Sequence, residues 1–133
     1  MPEIAANPHL FKATFTLGED SFTAHLSKAE YVPTQPTGQY VDLSGKAVNF
    51  GGESSWILDL AGCQDWSTAN SLSAYLDAHE GEEVEATITE PSGATHVGTV
   101  VCAAVNKGGT ANSPALWAKQ LQANGKPQTT YPV

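Results

Sequence analysis

A chain of 133 residues is the size of one domain, here spanning 1–133, and it can bury a real core, losing about two-thirds of its unfolded surface on folding. Fourteen acidic and six basic residues leave a formal charge of −8, which opposes attraction to phosphate backbones and to anionic membranes. No stretch approaches the ~20 apolar residues that span a bilayer, and Met1 to Leu10 shows neither the basic nor the apolar region of a secretory signal.

Residues 1–9, with Pro2, Asn7 and Pro8, read as a flexible arm. Phe11, Ala13, Phe15 and Leu17 then alternate with Lys12, Thr14 and Thr16, the period of a half-buried strand. After Gly18-Glu19-Asp20 the alternation resumes at Phe22, Ala24 and Leu26, which predicts a hairpin. Residues 30–54 change character, because Pro33, Pro36, Gly38, Gly45, Gly51 and Gly52 interrupt any long element. Tyr31, Tyr40, Val41, Leu43, Val48 and Phe50 make the same stretch too apolar for a disordered linker. It leaves room for short strands near 40–43 and 47–50, joined by Ser44-Gly45. A segment of this length with little regular structure usually serves binding or assembly.

Trp56, Leu58 and Leu60 alternate with Ile57, Asp59 and Ala61, a strand that stops at Gly62. One amphipathic helix is predicted over about 67–80, capped by Asp65 or Ser67 and ended by Gly81. Leu72, Tyr75, Leu76 and His79 supply its apolar stripe. Val84, Ala86 and Ile88 begin a further strand, Pro91-Ser92-Gly93 turns the chain, and His96 to Val105 reads as one long strand apolar on both faces. A last strand over 115–122 leads to Asn124-Gly125 and a polar tail, 124–133. Strands, one helix, then strands, without βαβ alternation, predict a mainly β fold: an antiparallel β-sandwich or barrel with one flanking helix. Trp56, Leu58, Trp66, Leu72, Tyr75 and Leu76 are the expected core and corner anchors.

Motifs for chemistry are missing. The histidines at 9, 25, 79 and 96 fall in four different elements, none with a second ligand at metal spacing. Glu80-Gly81-Glu82-Glu83 lacks the alternating oxygen ligands of a calcium loop. There is no G-x-S-x-G elbow, and Lys107 precedes Gly108-Gly109 where a phosphate loop needs the reverse order. Cys63 and Cys102 are expected as two free thiols. The expectation is a protein that is not an enzyme and uses no metal or cofactor. Its acidity fits both an ordinary soluble domain and a surface past which nucleic acid must slide without sticking.

One block of residues adds a resemblance. Ser55-Trp56-Ile57-Leu58-Asp59-Leu60, then Gln64-Asp65-Trp66, then Ser71-Leu72-Ser73-Ala74-Tyr75-Leu76 and Gly81, is similar to the tail tube (major tail) proteins of long-tailed bacteriophages. Those proteins carry a W-x-L-x-L strand, a Q-D-W corner, an S-L-x-x-Y-L helix and a helix-ending glycine. Asn124-Gly125-Lys126-Pro127 resembles the family's closing D/N-G-K-P. The resemblance covers about residues 55 to 130. It implies a virion protein that assembles as stacked hexameric rings, partners other tail proteins, and lets DNA pass without specific binding. Six subunits giving about four strands each would close a barrel roughly 48 Å across, wide enough for a duplex of roughly 20 Å. Within that frame the 30–54 segment, with Tyr31, Gln35, Tyr40 and Phe50, is the expected ring-to-ring contact. A tail terminator is an alternative within the same class. From another class, a monomeric sandwich that recognises glycans or a receptor would use the three tryptophans, four tyrosines and the aromatic loop.

Overall fold

The computed structural model describes residues 2–132; Met1 of the arm and Val133 of the tail lie outside the described residues. The chain forms two antiparallel sheets packed face to face, a separate two-stranded ribbon, and one short helix. It is the mainly β sandwich with one helix that the residue pattern predicts.

Strand β1 (Thr14–Leu17) turns through Gly18, whose φ of +66° only glycine adopts readily, into the two-residue β2 (Asp20–Ser21). The hairpin is shorter than the alternation predicts. Thr23 Oγ1 accepts the Phe15 amide at 3.1 Å, and a 3₁₀ turn (Thr23–His25) replaces the continuing strand. Phe22 drops into the core from this turn. Strand β3 (Leu26–Thr34) pairs with β6 (Ser55–Cys63) over its whole length, from Leu26↔Gly62 to Thr34↔Ser55. The first part of the predicted long loop is therefore strand. Pro33 is tolerated because β3 is an edge of its sheet, where a missing N–H costs no ladder bond.

Beyond Thr34 the chain forms the separate ribbon of β4 (Thr37–Val41) and β5 (Ala47–Gly51), paired from Thr37↔Gly51 to Val41↔Ala47. Asp42 closes their turn by accepting the Ser44 and Lys46 amides at 2.9 and 3.0 Å, and Gly45 takes a φ of +88°.

The helix α1 (Leu72–Ala78) is seven residues long, not the span 67–80, and its cap is Ser71, whose Oγ accepts the Ala74 amide at 3.3 Å. Asp65 instead folds a turn ahead of it, its carboxylate accepting the amides of Ser67 and Thr68 at 3.1 and 3.2 Å. Those donors are thereby taken out of any longer helix. His79 is the C-cap, and Gly81, at φ +85°, makes the turn into β7 (Glu83–Thr89).

Strand β8 (Thr95–Val101) stops at Val101, short of the predicted Val105, because its partner β7 begins at Glu83. Residues 102–115 then form a loop that returns to β9 (Leu116–Gln122). The expected polar tail is not free throughout. After Gly125, β10 (Gln128–Thr130) pairs with β8, and Pro127 is buried. The sheet orders are β10-β8-β7-β1-β2 and β3-β6-β9. A bridge between Val100 and Ala123 joins the two at one side.

The core lies between the sheets. Phe15, Leu17, Ala86, Ile88 and Val100 meet Ala29, Leu58, Leu60, Trp117 and Leu121, and Leu72 and Leu76 of the helix close one end. Tyr31 crosses this layer, its hydroxyl donating to the Ala86 carbonyl at 2.7 Å over the open face of Gly98. Burial pushes that phenol up to about 12, ahead of smaller effects from the Gly98 backbone and Glu85.

Candidate assembly surfaces

In an antiparallel ribbon, directly paired residues share a face. The β4–β5 ribbon therefore has one apolar face, with Tyr40 opposite Val48 and Phe50 opposite Gly38. Its other face is mixed: Gln39 Nε2 donates to Asn49 Oδ1 at 3.0 Å, and Val41 lies opposite Ala47 beside them. The Phe50 ring lies across Gly38, where a Cβ would stand 2.5 Å from it. Tyr40 is 64% exposed, Phe50 61%, and Leu43 at the turn fully so. An isolated two-stranded hairpin is marginal in water, and this one keeps its apolar face unpartnered. At its base, Gln35 Nε2 donates to the Gly52 carbonyl at 3.0 Å and braces the neck.

Of the four residues expected at a contact between copies, Tyr40 and Phe50 share the exposed apolar face and Gln35 holds its neck. Tyr31 does not belong there. Nine consecutive residues of β3 lie on β6, which carries Tyr31 into the subunit's own interior.

The far end of β6 carries a second surface. Gln64 is its organiser: Nε2 donates to the Gly108 and Leu116 carbonyls at 2.8 and 3.1 Å, while Oε1 accepts the Gly108 amide at 3.1 Å and the Trp66 indole N–H at 3.0 Å. Lys107 sits 5.6 Å from the Trp66 ring centroid and pairs with Asp77 at 3.0 Å. Trp66, expected as a core or corner anchor, is 43% exposed beside Leu116 at 60%. It lies in the Asp65 turn, and the buried tryptophan is Trp117, 3% exposed, whose indole donates to the Cys63 carbonyl at 2.9 Å. Leu58, Leu72 and Leu76 are buried, while Trp56 and Tyr75 are half-buried at the margins. Asp65 is held below the usual carboxylate range by hydrogen bonds from Ser67 and Thr68, so the corner keeps its negative charge.

A cavity of about 310 Å³ opens between the sheets, lined by Phe11, Tyr31, Trp56, His96 and Pro127 among others. Glu90 at its rim faces His9 at 3.7 Å and His96 at 3.4 Å, and His96 contacts Thr129 at 3.0 Å. Among the described residues no group of His, Cys, Asp and Glu is arranged to hold a metal ion. Both cysteines are free, Cys63 exposed and Cys102 buried. Among the described residues no helix is long and apolar enough to cross a membrane.

No protein-family model and no curated protein matches the chain. Among solved structures it is similar to a chain in the virion of a native gene transfer agent particle, with a TM-score of 0.63 and 17% identity over 87% of this chain and 95% of that one. It is also similar to a chain in an extracellular contractile injection system, the PVC sheath/tube terminator in its extended state, with a TM-score of 0.62 and 14% identity over 96% and 99% of the two chains. At these identities the likeness is one of fold, and in each case it takes in nearly the whole of both chains.

Proposed function

We propose that this chain is a structural subunit of a phage-type tail, assembling with copies of itself into stacked rings, hexameric in the resemblance, around a channel through which DNA passes. The observation that carries the reading is the exposed apolar face of the β4–β5 ribbon. Among the described residues nothing covers it, on a fold shared with chains of a virion and of a contractile injection apparatus. The ribbon is the contact between successive rings, and other tail proteins meet the ends of the stack. The open edges of the sheets, β3 and β9 in one and β2 and β10 in the other, invite lateral pairing between neighbours in a ring. The net charge of −8 suits a channel that must not hold DNA.

A second reading is a tail terminator, favoured by the sheath/tube terminator to which one of the similar chains belongs. The two differ in growth. Sedimentation velocity over a concentration series should show open-ended oligomers for a tube subunit. Association that stops at one ring identifies the terminator, and a monomer at every concentration overturns both readings.

A further inference from the structure

We propose that the Trp66 corner is the surface on which the β4–β5 hairpin of a second copy docks, so that copies join head to tail through two different patches. This rests on the reading of the chain as a stacking subunit and names the receiving surface. The two patches lie at opposite ends of one strand. Ser55, at the start of β6, follows the hairpin, while Cys63, at its end, pairs with Leu116 and leads into Gln64 and Trp66. Nine residues of strand separate them by about 27–30 Å, so neither patch can cover the other within one chain.

The corner is built to receive an apolar element. Gln64 locks the Trp66 indole and fixes the Gly108 loop beside it, so little side-chain freedom is left to lose on docking. The charges match as well. The hairpin turn carries Lys46, which makes no ion pair among the described residues, and Asp42; the corner carries Asp65, Asp77 and Lys107. Lys46 toward Asp65 or Asp77 and Asp42 toward Lys107 place opposite signs together twice. Two unlike patches at opposite ends of a rigid body make a heterologous contact, which propagates instead of closing on a pair.

The test uses two full-length variants with substitutions only at exposed positions: a hairpin variant, Tyr40→Ser with Leu43→Asp, and a corner variant, Trp66→Asp. The hairpin variant should melt close to the wild type and the corner variant several degrees lower, and each should need about tenfold or more concentration to stack. Mixed in equal amounts, they should form a species of two layers that grows no further, seen by sedimentation or native mass spectrometry. One interface is then intact and every other is broken. Absence of that species while the wild type stacks overturns the inference and leaves the tail reading standing. So does a corner variant that stacks like the wild type. If the melting temperature of the corner variant collapses, Leu116→Ser takes its place, and a folded Leu116→Ser that stacks like the wild type overturns the inference. A wild type that never stacks removes the tail reading and the inference together.

Discussion

At the residue scale, three positions define the subunit. Gly62 approaches the neighbouring strand so closely that a Cβ would lie 2.1 Å from the His25 carbonyl oxygen, where β3 bulges between Leu26 and Lys28. Backbone on both sides leaves nothing flexible to yield. Gly62→Ala should therefore cost several kcal/mol, in the overpacking range of about 1–3 or above, and show as a large fall in melting temperature. Trp117 and Trp66 contrast sharply. Trp117→Ala should cost about 3–5 kcal/mol by thermal or urea unfolding. Trp66→Ala loses only an exposed hydrogen bond and an exposed cation–π contact, roughly 1–2 kcal/mol together.

Tyr31 and Cys102 give a pH signature. Burial raises the Tyr31 phenol from 10.0 to about 12, and burial followed by the charge of Glu82 raises the Cys102 thiol from 9.0 to about 11. Both folded values lie above the unfolded ones, so the native state holds more protons in this range. The stability these groups contribute is complete below pH 9 and is lost as pH rises through about 11 and 12. Chemical unfolding at pH 8 and pH 11 should show the fall, and Tyr31→Phe with Cys102→Ala should flatten it.

At the element scale, the β4–β5 ribbon separates assembly from stability. Thr34 and Ser55 are a register pair, so residues 35–54 can be replaced by a two-residue Asn-Gly turn without disturbing β3 and β6. The shortened chain should keep a melting temperature within a few degrees of the wild type and lose stacking. A large loss of stability would show that the ribbon belongs to the core. The sequence was most legible where burial alternates along one strand, as in Phe15–Leu17, Leu58–Leu60 and Ala86–Ile88. The hairpin turn was legible too, because Asp42 and Gly45 carry local turn chemistry. Three elements and one pair of residues were not. The helix start depended on whether Asp65 would fold a turn or cap a helix, and both use the same side chain. Strand β3 runs through Pro33, which is allowed only because tertiary structure makes it an edge. Strand β10 is Gln-Thr-Thr, with no periodicity to read. Trp66 and Trp117 are equally apolar, and it takes the turn at Asp65 and the register of β9 on β6 to set which of them faces solvent.

At the scale of the whole molecule, the arrangement reads as a rigid two-sheet body with unsatisfied apolar surface at both ends of β6. The interior is complete: among the described residues no buried side-chain polar atom lacks a partner. The exposed apolar side chains lie on the hairpin, at the Trp66 corner, and at the two chain ends, with Ile4, Leu10 and Phe11 at one and Tyr131 at the other. Of the residues expected at the ring-to-ring contact, Tyr40 and Phe50 lie on the exposed face of the ribbon, while Tyr31 packs against the core. The corner surface was missed because a tryptophan signals burial before it signals contact. Self-repulsion at a charge of −8 opposes assembly at low ionic strength. Physiological salt, with a Debye length of about 8 Å, should promote it.

The most direct measurement is electron microscopy of the concentrated wild-type protein at that ionic strength. The account predicts rings with a central bore wider than the roughly 20 Å duplex, stacked end on end. Featureless single subunits under every assembly condition would contradict it.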